Sequence, residues 1–142
     1  PHWEASARGM LAGITRGTKK EHIARAALEG IAHQNDELLT AMANDFSGEL
    51  RSIKVDGGAA QNNFLMQLQC DLAGVKLYRP KMLETTALGA AIAAGLAVGV
   101  WNSLEEVCAA WQLEREFAPV MPKSEIQKRR ARWTKAISRC RF

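Results

Sequence analysis

The chain has 142 residues, 47% hydrophobic and 24% charged, with a formal net charge of +4. That is one domain's worth of sequence, too apolar for intrinsic disorder. The longest small and apolar run, Ala87 to Val100, carries three glycines and falls short of the ~18 residues a spanning helix needs, so no membrane span is expected.

No charged opening leads into an apolar stretch, so no signal peptide is expected. The start at Pro1 reads as a fragment or a processed chain. Cys70, Cys108 and Cys140 lie far apart without metal-ligand spacing, which points to free thiols in a reducing, cytoplasmic setting. From Lys123 to Phe142 there are eight Lys/Arg against one Glu, a local +7 that leaves −3 for the remainder. Such a tail can attract nucleic acid. Ile126, Trp133 and Ile137 recur among the charges near helical spacing, however, so we read a solvated helix docked by one face and expect no nucleic-acid partner.

In chain order, Arg8 to Thr15 predicts a strand with glycines where another backbone comes close. Thr18 is a candidate N-cap, with Glu21 completing a capping box. Ile23, Ala26, Ala27, Ile31, Leu38, Leu39 and Met42 then trace one face of a long helix ending near Asn44. His22 and His33 on it are read as surface or satisfied interface residues. Ser52 to Val55 predicts a short strand. The turn Asp56-Gly57-Gly58-Ala59-Ala60 follows, then a helix with Phe64, Leu65, Leu68 and Leu72 at three- and four-residue spacing. Gly74 stops that helix.

Val75 to Tyr78 alternates as a strand, closed by Arg79-Pro80. Ala87 to Ala97 is a helix of very small residues, read as tightly packed, with Glu84-Thr85-Thr86 as its cap. Ser103 opens a short helix through Trp111. An irregular stretch from Glu116 to Pro122 leads to the final basic helix from about Ser124. Strand and helix alternate, which favours a parallel α/β sheet.

Adjacent glycines between strand and helix let the main chain turn through positive φ and leave no Cβ between backbone and ligand. The helix that follows offers unpaired N–H groups. By itself this is a weak signal, and a tight βα turn is the plainer reading.

Several ordered stretches carry a more specific signal: Trp3…Ala7-Arg8-Gly9, Gly13-Ile14-Thr15-Arg16-Gly17, Val55-Asp56-Gly57-Gly58-Ala59…Asn62-Asn63, Glu84-Thr85-Thr86-Ala87-Leu88-Gly89 and Phe117-Ala118-Pro119. Through them the chain resembles the FGGY carbohydrate kinases, within the actin-like ATPase / ribonuclease H-like fold, and among these the glycerol-phosphorylating branch. The resemblance spans residues 1–142 and is to the C-terminal domain, in part, with extra C-terminal helices; an N-terminal domain and the first strands belong upstream.

It implies transfer of the ATP γ-phosphoryl to glycerol with Mg2+, the metal held mainly by the upstream part, and a homo-oligomeric protein. Carried over by position, Gly58 resembles the family residue whose backbone contacts ATP or ADP, and Asn62 the one that hydrogen-bonds the adenosine end. Gly57 and Ala59 shape the same pocket. No catalytic or metal-ligating residue is carried over: the family's base lies upstream, and Asp56 is read as part of the turn. The isolated segment is expected to be inactive and to expose a sheet edge.

Two other readings compete. One is a related FGGY kinase acting on another sugar or polyol. The other is a non-catalytic interaction module using Arg129, Arg130 and Arg132. Cys140-Arg141-Phe142 matches a loose peroxisomal tripeptide pattern that chance satisfies readily.

Overall fold

The computed structural model describes residues 4–46 and 48–140. Trp3 of the family pattern and Arg141-Phe142 of the tripeptide lie outside the described residues. The elements are α1 (Lys20–Asp45), β1 (Ser52–Lys54), a 3-10 turn (Gly58–Gln61), α2 (Asn63–Ala73), β2 (Lys76–Pro80), α3 (Thr85–Ala97), α4 (Leu104–Ala109), β3 (Leu113–Phe117) and α5 (Lys123–Cys140). The class is α/β, as the alternation predicts.

β2 is the middle strand of three. β1 runs parallel to it, Ser52 opposite Lys76 and Lys54 opposite Tyr78, so β1, α2 and β2 form a βαβ unit. β3 is antiparallel to β2, with Leu77 opposite Phe117. The expected all-parallel sheet is therefore corrected to a mixed one.

The third strand is also not the expected one. Arg8 to Thr15 forms no strand; Met10, Leu11 and Ile14 are 40%, 56% and 60% exposed. Gly13 sits at φ 84, which breaks the extended run. β3 instead arises from Leu113-Glu114-Arg115-Glu116-Phe117, whose three central charges hide the alternation. It forms because Phe117 is buried and because Lys76 pairs with Glu116 across the strands at 2.7 Å.

α2 is the centre of the core. Leu65, Met66, Leu68 and Leu72 pack with Leu77 and Phe117 of the sheet, Ala60 of the turn and Ala32 of α1. Asn62 caps α2 at one end, and Gly74 in the left-handed region (φ 69) ends it at the other, where the sequence places the stop.

α1 departs from its expected face. Its buried residues are Ala32, His33 and Asp36, while Ile23, Ile31, Leu38 and Met42 are exposed. The rotation follows a polar junction with α5. Asp36 accepts from Arg130 Nε at 2.7 Å and Nη2 at 2.6 Å, and Nη2 also donates to the Leu72 carbonyl at 2.8 Å. The His33 ring stacks on Trp133, centroids 5.1 Å apart. α5 itself docks by one face as read, with Ile126, Trp133 and Ile137 half-buried.

The α1 cap is one residue later than expected. The Lys19 N–H donates to His22 Nδ1 at 3.0 Å. The Thr18 hydroxyl instead accepts from the Thr15 N–H at 2.9 Å, so Glu21 has no capping role. At α4, Ser103 Oγ does accept from the Glu106 N–H at 3.3 Å. That helix ends at Ala109, short of Trp111. α3 is not packed into the core: Gly95 is its one buried residue, where the Trp101 indole lies so close that a Cβ would sit 2.3 Å from it. Of the described residues, no helix is long and apolar enough to cross a membrane.

Candidate functional site

The glycine turn leaves the C-terminal end of β1. The Val55 N–H still pairs with the Tyr78 carbonyl at 3.0 Å; the chain then turns away from the sheet. Asp56 accepts a hydrogen bond from the Thr85 hydroxyl, which ties the turn to the first residue of α3.

The two glycines differ. Gly57 has φ 78 and ψ 173, a backbone region essentially closed to residues with a Cβ. Its N–H donates to the Leu83 carbonyl at 2.9 Å. Gly57 is thus glycine for the fold. Gly58 has no positive φ, is exposed, and a Cβ built on it meets no atom within 4 Å. No atom of the described residues stands where a side chain at Gly58 would go, so its main chain is open to close approach.

The 3-10 turn closes through Ala60 N–H to Gly57 carbonyl and Asn62 N–H to Ala59 carbonyl, both 3.1 Å. Among the described residues, neither Gly58 nor Ala59 donates its N–H to a backbone carbonyl, as befits the first groups of a helical turn. Asn62 is the N-cap of α2 rather than a residue of its first turn, and its Oδ1 accepts from the Leu65 N–H at 3.0 Å. That bond occupies the acceptor and leaves the Nδ2 amide as a donor. Beside the turn runs an open groove of about 270 Å³, walled by Ile31, Leu65 and Met66 and rimmed by Lys54, Asp56 and Ala59.

The four candidate residues therefore stand together on one turn, with Ala59 facing the groove. α3 touches this turn through Thr85 at its N-terminus. Among the described residues, no group of three or more His, Cys, Asp or Glu is arranged to hold a metal ion. Arg129 and Arg130, candidates for an interaction module, are spent inside the chain: Arg129 on Glu125 and Glu29, Arg130 on Asp36.

Sequence reading missed Arg79, buried on β2 and hydrogen-bonded to the Ala60 carbonyl at 2.6 Å. Its one signal was parity: two residues after Leu77, it falls on the core side of the strand.

A βαβ unit with a glycine turn at the end of β1 makes this an α/β domain. The family follows from comparison: residues 1–98 match the model of the FGGY family of carbohydrate kinases, C-terminal domain, and the chain belongs to that family, with its actin-like ATPase fold. The glycerol kinase of Aromatoleum aromaticum is 55% identical over 141 residues, covering 99% of this chain and 28% of the relative. That of Deinococcus radiodurans is 53% identical with the same coverage. The crystal structure of Plasmodium falciparum glycerol kinase with ADP superposes on 100% of this chain and 28% of that one, with a TM-score of 0.87 and 35% identity. A ligand-bound xylulose kinase from Lactobacillus acidophilus matches at TM-score 0.64 and 28% identity, over 94% of this chain and 26% of its own. The chain thus spans 28% of the length of the glycerol kinases it resembles.

Proposed function

We propose that this chain is the nucleotide-binding C-terminal part of a kinase that transfers the ATP γ-phosphoryl to glycerol, giving glycerol 3-phosphate. The observation that carries the proposal is Gly58: glycine where neither backbone conformation nor packing asks for it, beside free N–H groups on the turn. Glycerol is preferred over another sugar or polyol because identity to the glycerol kinases reaches 55%, against 28% to the xylulose kinase.

In this reading the turn binds and orients nucleotide. The Gly58 and Ala59 main chain lies against ATP or ADP, Asn62 Nδ2 donates to the adenosine end, and Gly57 sets the turn's direction. Phosphoryl transfer is mainly positioning and charge stabilisation, and this chain supplies positioning. Mg2+ would supply charge neutralisation at the phosphates, held in this reading mainly by the part of the kinase upstream of this chain. The segment alone is therefore inactive toward glycerol. A cytoplasmic location suits the free thiols of Cys70, Cys108 and Cys140. Self-association of the whole kinase belongs to the same proposal, and the exposed apolar side chains of α1 offer area for it.

Calorimetry with ADP tests the site. Gly58→Val should weaken binding by at least about tenfold, since the added side chain meets only ligand, with an unchanged circular dichroism spectrum. Asn62→Asp keeps the cap on Leu65 and removes the donor, so it should weaken ADP without loosening α2. Undiminished ADP binding by folded Gly58→Val would sink the reading. Glycerol and a panel of pentuloses, given to the full-length protein, decide the substrate.

A further inference from the structure

Arg79 stands on the middle strand, on the same side of the sheet as Leu77, and is 6% exposed. A buried guanidinium persists only when partnered. Its Nε donates to Glu114 Oε2 at 2.5 Å and its Nη1 to the Ala60 carbonyl at 2.6 Å. The guanidinium carbon lies 5.3 Å from the centre of the Phe117 ring.

Glu114 reaches Arg79 because β3 is irregular there. Arg79 pairs with Arg115, but Pro80 pairs with Leu113, which leaves Glu114 as an extra residue. Regular alternation would put Glu114 on the face opposite Arg115; a bulge re-aims it. Ala60, at the other end of the bracket, is the buried middle of the 3-10 turn, 1% exposed. Among the described residues, Arg79 is the only side chain hydrogen-bonded to a main-chain atom of Gly57–Gln61. Two adjacent glycines carry the largest conformational freedom in the chain, so a turn built on them needs an external anchor.

We propose that Arg79, held in place by Glu114, is a positioning residue that fixes the Gly58–Gln61 turn in its nucleotide-binding attitude without touching the nucleotide. This rests on the nucleotide reading of that turn. The guanidinium holds the Glu114 carboxyl below its ordinary value of 4.5. Replacing Arg79 by an apolar chain frees the Ala60 carbonyl and lets the glycines sample other conformations. Lysine keeps the charge but not the fork that spans Glu114 and Ala60 together.

The test uses the full-length protein carrying Arg79→Met, Arg79→Lys or Glu114→Gln. It reads hydrogen exchange in peptides spanning Gly57 to Asn62, ADP affinity by calorimetry, and KM for ATP beside KM for glycerol. Arg79→Met should speed exchange of the turn and weaken ADP by about tenfold each, the factor for one strong hydrogen bond, with glycerol KM within about twofold. Arg79→Lys and Glu114→Gln should fall between it and wild type, and they carry the comparison if Arg79→Met does not fold. Unchanged turn exchange overturns the proposal, as does a parallel rise in both KM values, which marks general loosening. If wild type binds no ADP while Arg79→Met still loosens only the turn, the nucleotide reading fails and the bracket stands.

Discussion

Two junctions hold α1, α2, α5 and the sheet together, and they are built from opposite materials. Between α2 and the sheet, Leu65, Leu68, Leu72, Leu77 and Phe117 are each 4% exposed or less, with no charge among them. Between α1 and α5 the contact is ionic and aromatic: Asp36 with Arg130, Glu29 with Arg129, His33 on Trp133. The first junction gains mainly from apolar area, with the buried Arg79 and its partner Glu114 set into the same face. The second gains from charge and geometry, and its net worth depends on how much desolvation each pair suffers. The glycine turn sits on the first junction, so its attitude should survive conditions that release α5.

The largest expected effect comes from the apolar junction. Leu65→Ala or Leu77→Ala removes a side chain 2% or 1% exposed and should destabilise by about 3 kcal/mol, the usual sum of lost transfer and cavity terms. Urea unfolding followed by circular dichroism measures this, and the loss should be the same in 50 mM and 500 mM NaCl (about a tenfold span of ionic strength). A loss below about 1 kcal/mol would mean that α2 is not the centre of the core.

At the polar junction the two ends of one ion pair should differ. Asp36 is 7% exposed at its side chain and Arg130 46%. Arg130→Met strands a buried carboxylate and should cost about 2 kcal/mol, less than a fully buried pair because water reaches the arginine side. Asp36→Ala leaves a cation that can rehydrate and should cost about 1 kcal/mol. Equal losses, or independence from salt, would contradict an ionic account of α5 docking.

The same contrast governs how much could be read from sequence. The β1-turn-α2-β2 unit was legible because its determinants are local: a β-branched run, two glycines, apolar spacing in α2, and Gly74 as a stop. All four candidate site residues lie in that unit. The exposure of Ile23, Ile31, Leu38 and Met42 was not legible, since apolar periodicity locates a stripe but not the partner that covers it. Here Asp36 and His33 turn the helix toward α5. β3 was hidden for a related reason: its charged residues are paid back only across the sheet, by Lys76 and Arg79. Arg79 itself depends on a bulge at a residue 35 positions away, which no local pattern encodes.

The smallest expected effect is a pH dependence confined to the polar junction. His33 is 7% exposed, and its Nδ1 is buried without a hydrogen-bond partner among the described residues. Burial is the largest influence and pushes the imidazole below its ordinary 6.5; Asp36, Glu29 and Glu37 pull it back up, and Arg129 from α5 pushes it further down. With the folded value lowered, the unfolded chain binds the proton first. Stability from this group is therefore complete above pH 6.5, declines as pH falls through 6.5, and stops declining once the lower folded value is passed. Unfolding midpoints in urea between pH 7.5 and 5.5 (about one pH unit either side of a free histidine) should fall for wild type and fall less for His33→Gln. The difference between the two slopes isolates His33 from the other histidines. Identical slopes would show that the ring enters the α1–α5 junction already able to accept its proton, with Asp36 and Glu29 outweighing burial.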